Sequence, residues 1–212
     1  MVLINIFIFM GIIASAVSGT LVGIKKRLDW FGVICLAVAT ALGGGVVRDI
    51  MIGSLPPMAF IKPTYFIISV ITAFFTCIFY KKINKFQNII MLTDAVGLGV
   101  FTAVGASTAF EHHMGTPFLV ISMGLITGIG GGIIRDIFAK DIPYVFRKEV
   151  YAIASILGAI GFFLTYDKVS HILSLYICLF ITFTVRVVSI IYNVHFPVFK
   201  HEVNTSNNDH AS

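Results

Sequence analysis

Of the 212 residues 58% are apolar and 12% charged, with a net charge of +5 and a mean hydropathy of +0.96. Soluble domains carry roughly a quarter charged residues, so this chain cannot clothe a compact surface in water-compatible side chains and belongs in lipid. Nucleotide-binding, nucleic-acid-binding and disulfide-stapled secreted scaffolds are thereby excluded, and at about 20 apolar residues per crossing the length admits six to eight spans and no separate soluble domain.

Runs with few or no charges fall at 2–24, 30–47, 64–80, 89–110, 117–134, 150–166 and 172–194, which predicts seven transmembrane helices in an all-α integral membrane protein. The first run lacks a basic start and exceeds the core of a signal peptide, so it reads as a span. It carries a small residue every fourth position, Gly11, Ser15, Gly19 and Gly23, as does the fourth with Ala95, Gly99, Ala103 and Ser107. Such faces let helices approach closely, within one protomer or between protomers. Cys35, Cys77 and Cys178 all sit inside apolar runs and read as small hydrophobes with no redox or metal role.

Cytoplasmic loops retain basic residues. Lys25, Lys26, Arg27, Lys81, Lys82, Lys85, Arg135, Lys140, Arg147, Lys148 and Lys200 fall on one side, against Arg48, Lys62 and Lys168 on the other. Eleven against three predicts an outside N-terminus and a cytoplasmic tail, polar from Asn204 to Ser212.

Gly43-Gly44-Gly45-Val46-Val47-Arg48-Asp49-Ile50 returns 87 residues later as Gly130-Gly131-Gly132-Ile133-Ile134-Arg135-Asp136-Ile137. The same offset pairs Ala16 with Ala103, Phe31 with Phe118, Thr40 with Thr127 and Pro56 with Pro143. Each copy holds three spans, an odd number, so the copies cross the membrane in opposite senses. The expected organisation is a first repeat over 1–87, an inverted second repeat over 88–170, a seventh helix over 171–196 and a polar tail over 197–212. Inverted repeats commonly build solute pathways at their interface.

Each glycine triplet sacrifices helix propensity, about 1 kcal/mol per residue. Two readings account for that: a broken helix whose freed backbone lines a wet cavity, or close helix packing of the kind Gly128-xxx-Gly132 allows. Two matched triplets, each followed by Arg-Asp, favour the pathway. Unpaired charge is costly in hydrocarbon, so Arg48, Asp49, Arg135 and Asp136 either pair or cap helices at the interface. Adjacent helical residues do not face each other, which predicts that Arg48 meets a carboxylate on another span rather than Asp49. Asp94, Lys148 and Glu149 are further polar groups at span ends, Arg186 is expected to snorkel to the cytoplasmic interface, and His112 and His113 lie in a short outer loop. No zinc-protease, nucleophile-elbow or phosphate-loop motif points to an enzyme.

The paired Gly-Gly-Gly-x-x-Arg-Asp segments, with Lys148-Glu149-Val150 after the second, resemble the prokaryotic members of the trimeric intracellular cation (TRIC) channel family, also described as a glycine transporter domain. The resemblance spans roughly residues 5–195. It implies a homotrimer in a bacterial or archaeal inner membrane, in contact with lipid and not nucleic acid, each protomer with its own pore. It also implies a potassium-permeable path for monovalent cations, K+ or Na+, without a cofactor. The second and fifth spans would bend at their glycine triplets and line that path at Gly43, Gly44, Gly45, Gly130, Gly131 and Gly132. Arg48, Asp49, Arg135, Asp136, Lys148 and Glu149 match the family's polar motifs. One departure stands out: many bacterial relatives begin the first span with an acidic residue like Asp94 of the second repeat, where this chain has Phe7, with Asn5 as the nearest polar substitute. The competing reading is a secondary transporter of a small zwitterion such as glycine.

Overall fold

A computed structural model describes residues 2–83, 87–147 and 150–192. The predicted Lys85, Lys148, Glu149, Lys200 and the polar tail lie outside them. The described residues form nine helices: α1 (Val2–Lys25), α2 (Trp30–Met51), α3 (Met58–Ile61), α4 (Pro63–Ile83), α5 (Gln87–Glu111), α6 (Pro117–Phe138), α7 (Tyr144–Arg147), α8 (Val150–Thr165) and α9 (His171–Ile191). Six are long and apolar enough to cross a membrane, and α8 is a shorter apolar helix of 16 residues. Together they are the seven expected spans. Helices satisfy every internal backbone polar group, which hydrocarbon demands.

The duplication is visible in detail. Asp29 caps α2 by accepting from Gly32 N at 2.7 Å, and its counterpart Thr116 caps α6 ahead of Pro117 without a side-chain bond. Both helices end alike: Ser54 N–H donates to Asp49 O at 2.8 Å and Asp141 N–H to Asp136 O at 2.9 Å. Each closure passes through a left-handed residue, Gly53 or Lys140, the geometry that caps orphan carbonyls. The one-turn helices α3 and α7, unforeseen in the sequence, follow at matched positions. Phe31 and Phe118 are both 77% exposed, holding the same outward-facing place in each copy.

The units run in opposite senses. Lys26, just past the C-terminal end of α1, bridges to Asp141, just past that of α6, at 2.6 Å. The C-terminal ends of α2 and α5 instead share the opposite face, where Arg48 and Glu111 line one cavity. In each unit the three spans pack together, α1 with α2 and α4, and α5 with α6 and α8. The units meet where α1 crosses α5 and α2 crosses α6, and α9 rests on α5 and α8.

The small-residue faces pack within the protomer. Gly11 lies against Val100, Ser15 against Gly97, Gly19 against Ala37 and Thr40, and Gly99 against Leu179. Large apolar side chains point outward from the protomer instead, as along α4 with Phe66, Ile71, Phe74, Phe75 and Ile78. The aromatic core sits between α5, α8 and α9, where Phe110 stacks on Tyr166 with centroids 3.9 Å apart.

Candidate ion pathway

Both triplets are helical throughout, so the expectation of a broken helix is corrected in favour of close packing. The triplets are where α2 and α6 cross. A methyl group at Gly44 would overlap the Thr127 carbonyl oxygen, and one at Gly131 would overlap the Thr40 carbonyl oxygen. Gly130 lies against the Gly44 backbone and Gly43 against Ile134. Only a residue without a side chain allows this approach, since backbone meets backbone and neither can yield. The outer members differ. Gly45 has open space and lines a cavity, whereas Gly132 faces the Tyr151 hydroxyl.

Two cavities lie on opposite faces of the bundle. The first, about 260 Å³, opens on the face holding the N-terminal end of α1 and reaches Ile12, Ala41, Gly45 and Phe101. Ile12 and Phe101 lie about halfway along their helices. The second, about 740 Å³, opens on the opposite face and is lined by Lys25, Tyr80, Asp94, Arg135, Asp136 and Arg186 among others.

Each cavity holds one Arg-Asp pair. Arg48 Nε and Nη2 donate to Asp49 Oδ1 at 2.9 and 2.7 Å, while Met58 N–H donates to Asp49 Oδ2 at 2.8 Å. Arg135 Nε likewise donates to Asp136 Oδ1 at 2.8 Å, and Tyr144 N–H to Asp136 Oδ2 at 2.7 Å. The prediction that Arg48 avoids Asp49 is therefore wrong. A long guanidinium stem folds around the helix to its neighbour, and the backbone amide of the following short helix turns the carboxylate to meet it. The donors differ by one register because Pro57, the counterpart of Tyr144, has no N–H, so Met58 supplies it.

The second pair is elaborated across the fold. Arg135 Nη1 also donates to Asp94 Oδ1 on α5 at 2.6 Å and to Ser18 Oγ on α1 at 2.7 Å. Here the expectation of a carboxylate on another span holds, alongside the neighbouring one. Arg186, expected to snorkel, is instead 1% exposed. Its guanidinium lies 4.9 Å from the Tyr144 ring centroid and 4.7 Å from that of Tyr151, and its Nε has no hydrogen-bond partner among the described residues. Two aromatic faces hold the cation by its charge and planar shape, which keeps it beside the cavity rather than at the interface. The sequence signal was a lone arginine inside an apolar span together with two tyrosines near α7. His112 lines the first cavity, and Lys148 and Glu149 fall outside the described residues.

This arrangement defines a polytopic helical membrane protein whose inverted halves leave a charged cavity on each face of a glycine-packed crossing. The family model described as "Glycine transporter" matches the chain twice, over residues 5–81 and 91–167. The inner membrane protein YadS of Escherichia coli is 40% identical over 151 residues, 71% of this chain and 72% of that protein. The membrane protein YvgT of Bacillus subtilis is 36% identical over 192 residues, 88% and 92% of the two chains. A prokaryotic TRIC channel crystallised in 0.5 M KCl superposes with a TM-score of 0.85 at 38% identity, covering 90% of this chain and 96% of that one. The TRIC trimeric intracellular cation channel orthologue from Rhodobacter sphaeroides gives 0.86 at 28% identity over 92% and 100%. The chain belongs to the TRIC channel family.

Proposed function

We propose that the chain is a passive channel for monovalent cations, potassium foremost, with one pathway per protomer running from the first cavity to the second. The observation that carries this reading is the pair of charged cavities opening on opposite faces, the first reaching α2 at Gly45 and the second reaching α6 at Arg135, one turn beyond its triplet. The crossing is then the gate. As described it is packed backbone to backbone; when α2 and α6 part, the Thr40 and Thr127 carbonyl oxygens, still bonded within their helices, become exposed and offer a remaining lone pair to a passing cation. Gly43, Gly44, Gly130 and Gly131 form the gate, Gly45 and Gly132 flank it, and Arg48–Asp49 and Arg135–Asp136 set the field in its approaches. The cation-channel identity of the structural neighbours supports the reading.

The working assembly is a homotrimer, as in the trimeric Rhodobacter orthologue, seated in a bacterial or archaeal inner membrane, as YadS is. The excess of basic residues on the second-cavity face orients that face to the cytoplasm and the N-terminus outside. Conduction needs no cofactor.

The family description favours a second reading, a carrier for glycine. Proteoliposomes separate the two. A channel collapses an imposed potassium gradient at a rate that does not saturate with substrate and shows no counterflow. Saturable, counterflow-competent uptake of radiolabelled glycine, with no potassium leak, would overturn the channel reading.

A further inference from the structure

The halves are not equal at their arginines. Arg135 Nη1 is satisfied by the Asp94 carboxylate and the Ser18 hydroxyl. Subtracting or adding the repeat offset of 87 residues turns these positions into Phe7 and Gly105, neither of which has a side-chain acceptor. Phe7 is buried against Tyr176, centroids 5.2 Å apart. Gly105 is held to glycine because a methyl group would overlap the Met123 carbonyl and the Thr127 hydroxyl. The first half therefore supplies its arginine with no second carboxylate.

The result is a guanidinium with spare donors facing space. Arg48 is 7% exposed, and its Nη1 makes no hydrogen bond among the described residues, whose bonds from Arg48 all go to Asp49. The first cavity, which Arg48 lines, measures about 260 Å³, far above the roughly 10–15 Å³ that one water requires. Asp49 is engaged on both oxygens, by Arg48 and by Met58 N–H, and Glu111 accepts from Ser107 at 3.1 Å. Neither acidic group accepts a hydrogen bond from Nη1 among the described residues. Asn5, Lys62 and His112 also line the cavity; the formal charges of Arg48 and Lys62 balance those of Asp49 and Glu111, so a singly charged anion fits better than a phosphate.

We propose that the first cavity binds a small monocarboxylate on Arg48, the ligand supplying the carboxylate that Asp94 supplies in the second half. The contact is a charge-assisted hydrogen bond, or a pair of them, from a planar donor whose geometry matches a carboxylate. This inference does not depend on the channel reading, since it concerns occupancy rather than flux. The ligand is either a simple organic acid or an amino acid, whose ammonium would then face the acidic side chains.

Saturation-transfer NMR on the purified full chain in nanodiscs, with acetate and with glycine as separate probes at constant ionic strength, tests it. A saturable signal from either probe is expected, weakened about tenfold or more in Arg48→Gln, in line with losing a charge-assisted contact. A signal from glycine alone assigns the site to amino acids, and one from both assigns it to carboxylates generally. Asn5→Asp, at an exposed position lining the cavity, puts a fixed negative charge inside without touching the core and weakens binding even if Arg48→Gln fails to fold. No saturable signal from either probe, or a signal undiminished in the folded variants, overturns the proposal.

Discussion

The crossing of α2 and α6 makes a sharp prediction for alanine substitutions. At Gly44 the added methyl group would overlap the Thr127 carbonyl, a main-chain atom with no rotamer to escape into. The two helices must part by on the order of 1 Å to restore ordinary van der Waals separation, and overpacking of this kind costs about 1–3 kcal/mol. Gly131→Ala meets the Thr40 carbonyl and carries the same cost. Gly45→Ala is the control: its methyl group would find nothing closer than Arg48 Nη2 at 3.9 Å, and alanine adds up to about 1 kcal/mol of helix propensity. Thermal unfolding in detergent, followed by loss of a monodisperse gel-filtration peak, should rank Gly45→Ala at or above the parent chain and the other two below it. Because both methyl groups press on one crossing, the double variant Gly44→Ala, Gly131→Ala should deviate from additivity. If Gly44→Ala is as stable as Gly45→Ala, the crossing is not packed as described and the reasoning fails.

Asp94→Asn removes one of the two carboxylates on the buried Arg135 and should destabilise the protein by about 3 kcal/mol, the lower end for a broken buried pair because Asp136 remains, read by the same unfolding assay. Arg186→Lys keeps the charge but loses the planar stack between Tyr144 and Tyr151, and should cost about 1–2 kcal/mol; equal stability of the lysine variant would deny the stack a structural role. In a background without Cys35, Cys77 and Cys178, Ser54→Cys should react with an impermeant thiol reagent added to one face and Ile142→Cys only from the other, since the two residues line opposite cavities. Labelling of both from one side would contradict the inverted arrangement.

The spans, the duplication and its inversion were legible because hydropathy, loop charge and a fixed repeat register are one-dimensional signals. The Arg-Asp pairs were legible as residues but not as geometry. Arg48 folds back onto Asp49 while the chain after α2 turns and offers the Met58 amide to the same carboxylate, a contact nine residues away that helical periodicity does not register. The triplets carried two meanings in the sequence, break or close contact. Which one holds depends on what lies opposite, and Gly44 finds Thr127 and Gly131, residues more than 80 positions away. Arg186 was misjudged for a similar reason: its aromatic partners come from α7 and α8, and a helix read alone gives no hint of them. The absence of an acidic residue at Phe7 was visible from the start, but its consequence for Arg48 needed the second half's Asp94 and Ser18 contacts as a template.

The central claim is a cation-selective path through each protomer, and the reversal potential of single-channel current in a planar bilayer under a tenfold KCl gradient tests it most directly. Discrete currents that reverse toward the potassium equilibrium potential, close to about 59 mV for a monovalent ion, are predicted. Reversal toward the chloride potential, or no discrete current at any voltage from protein that remains folded, would contradict the account.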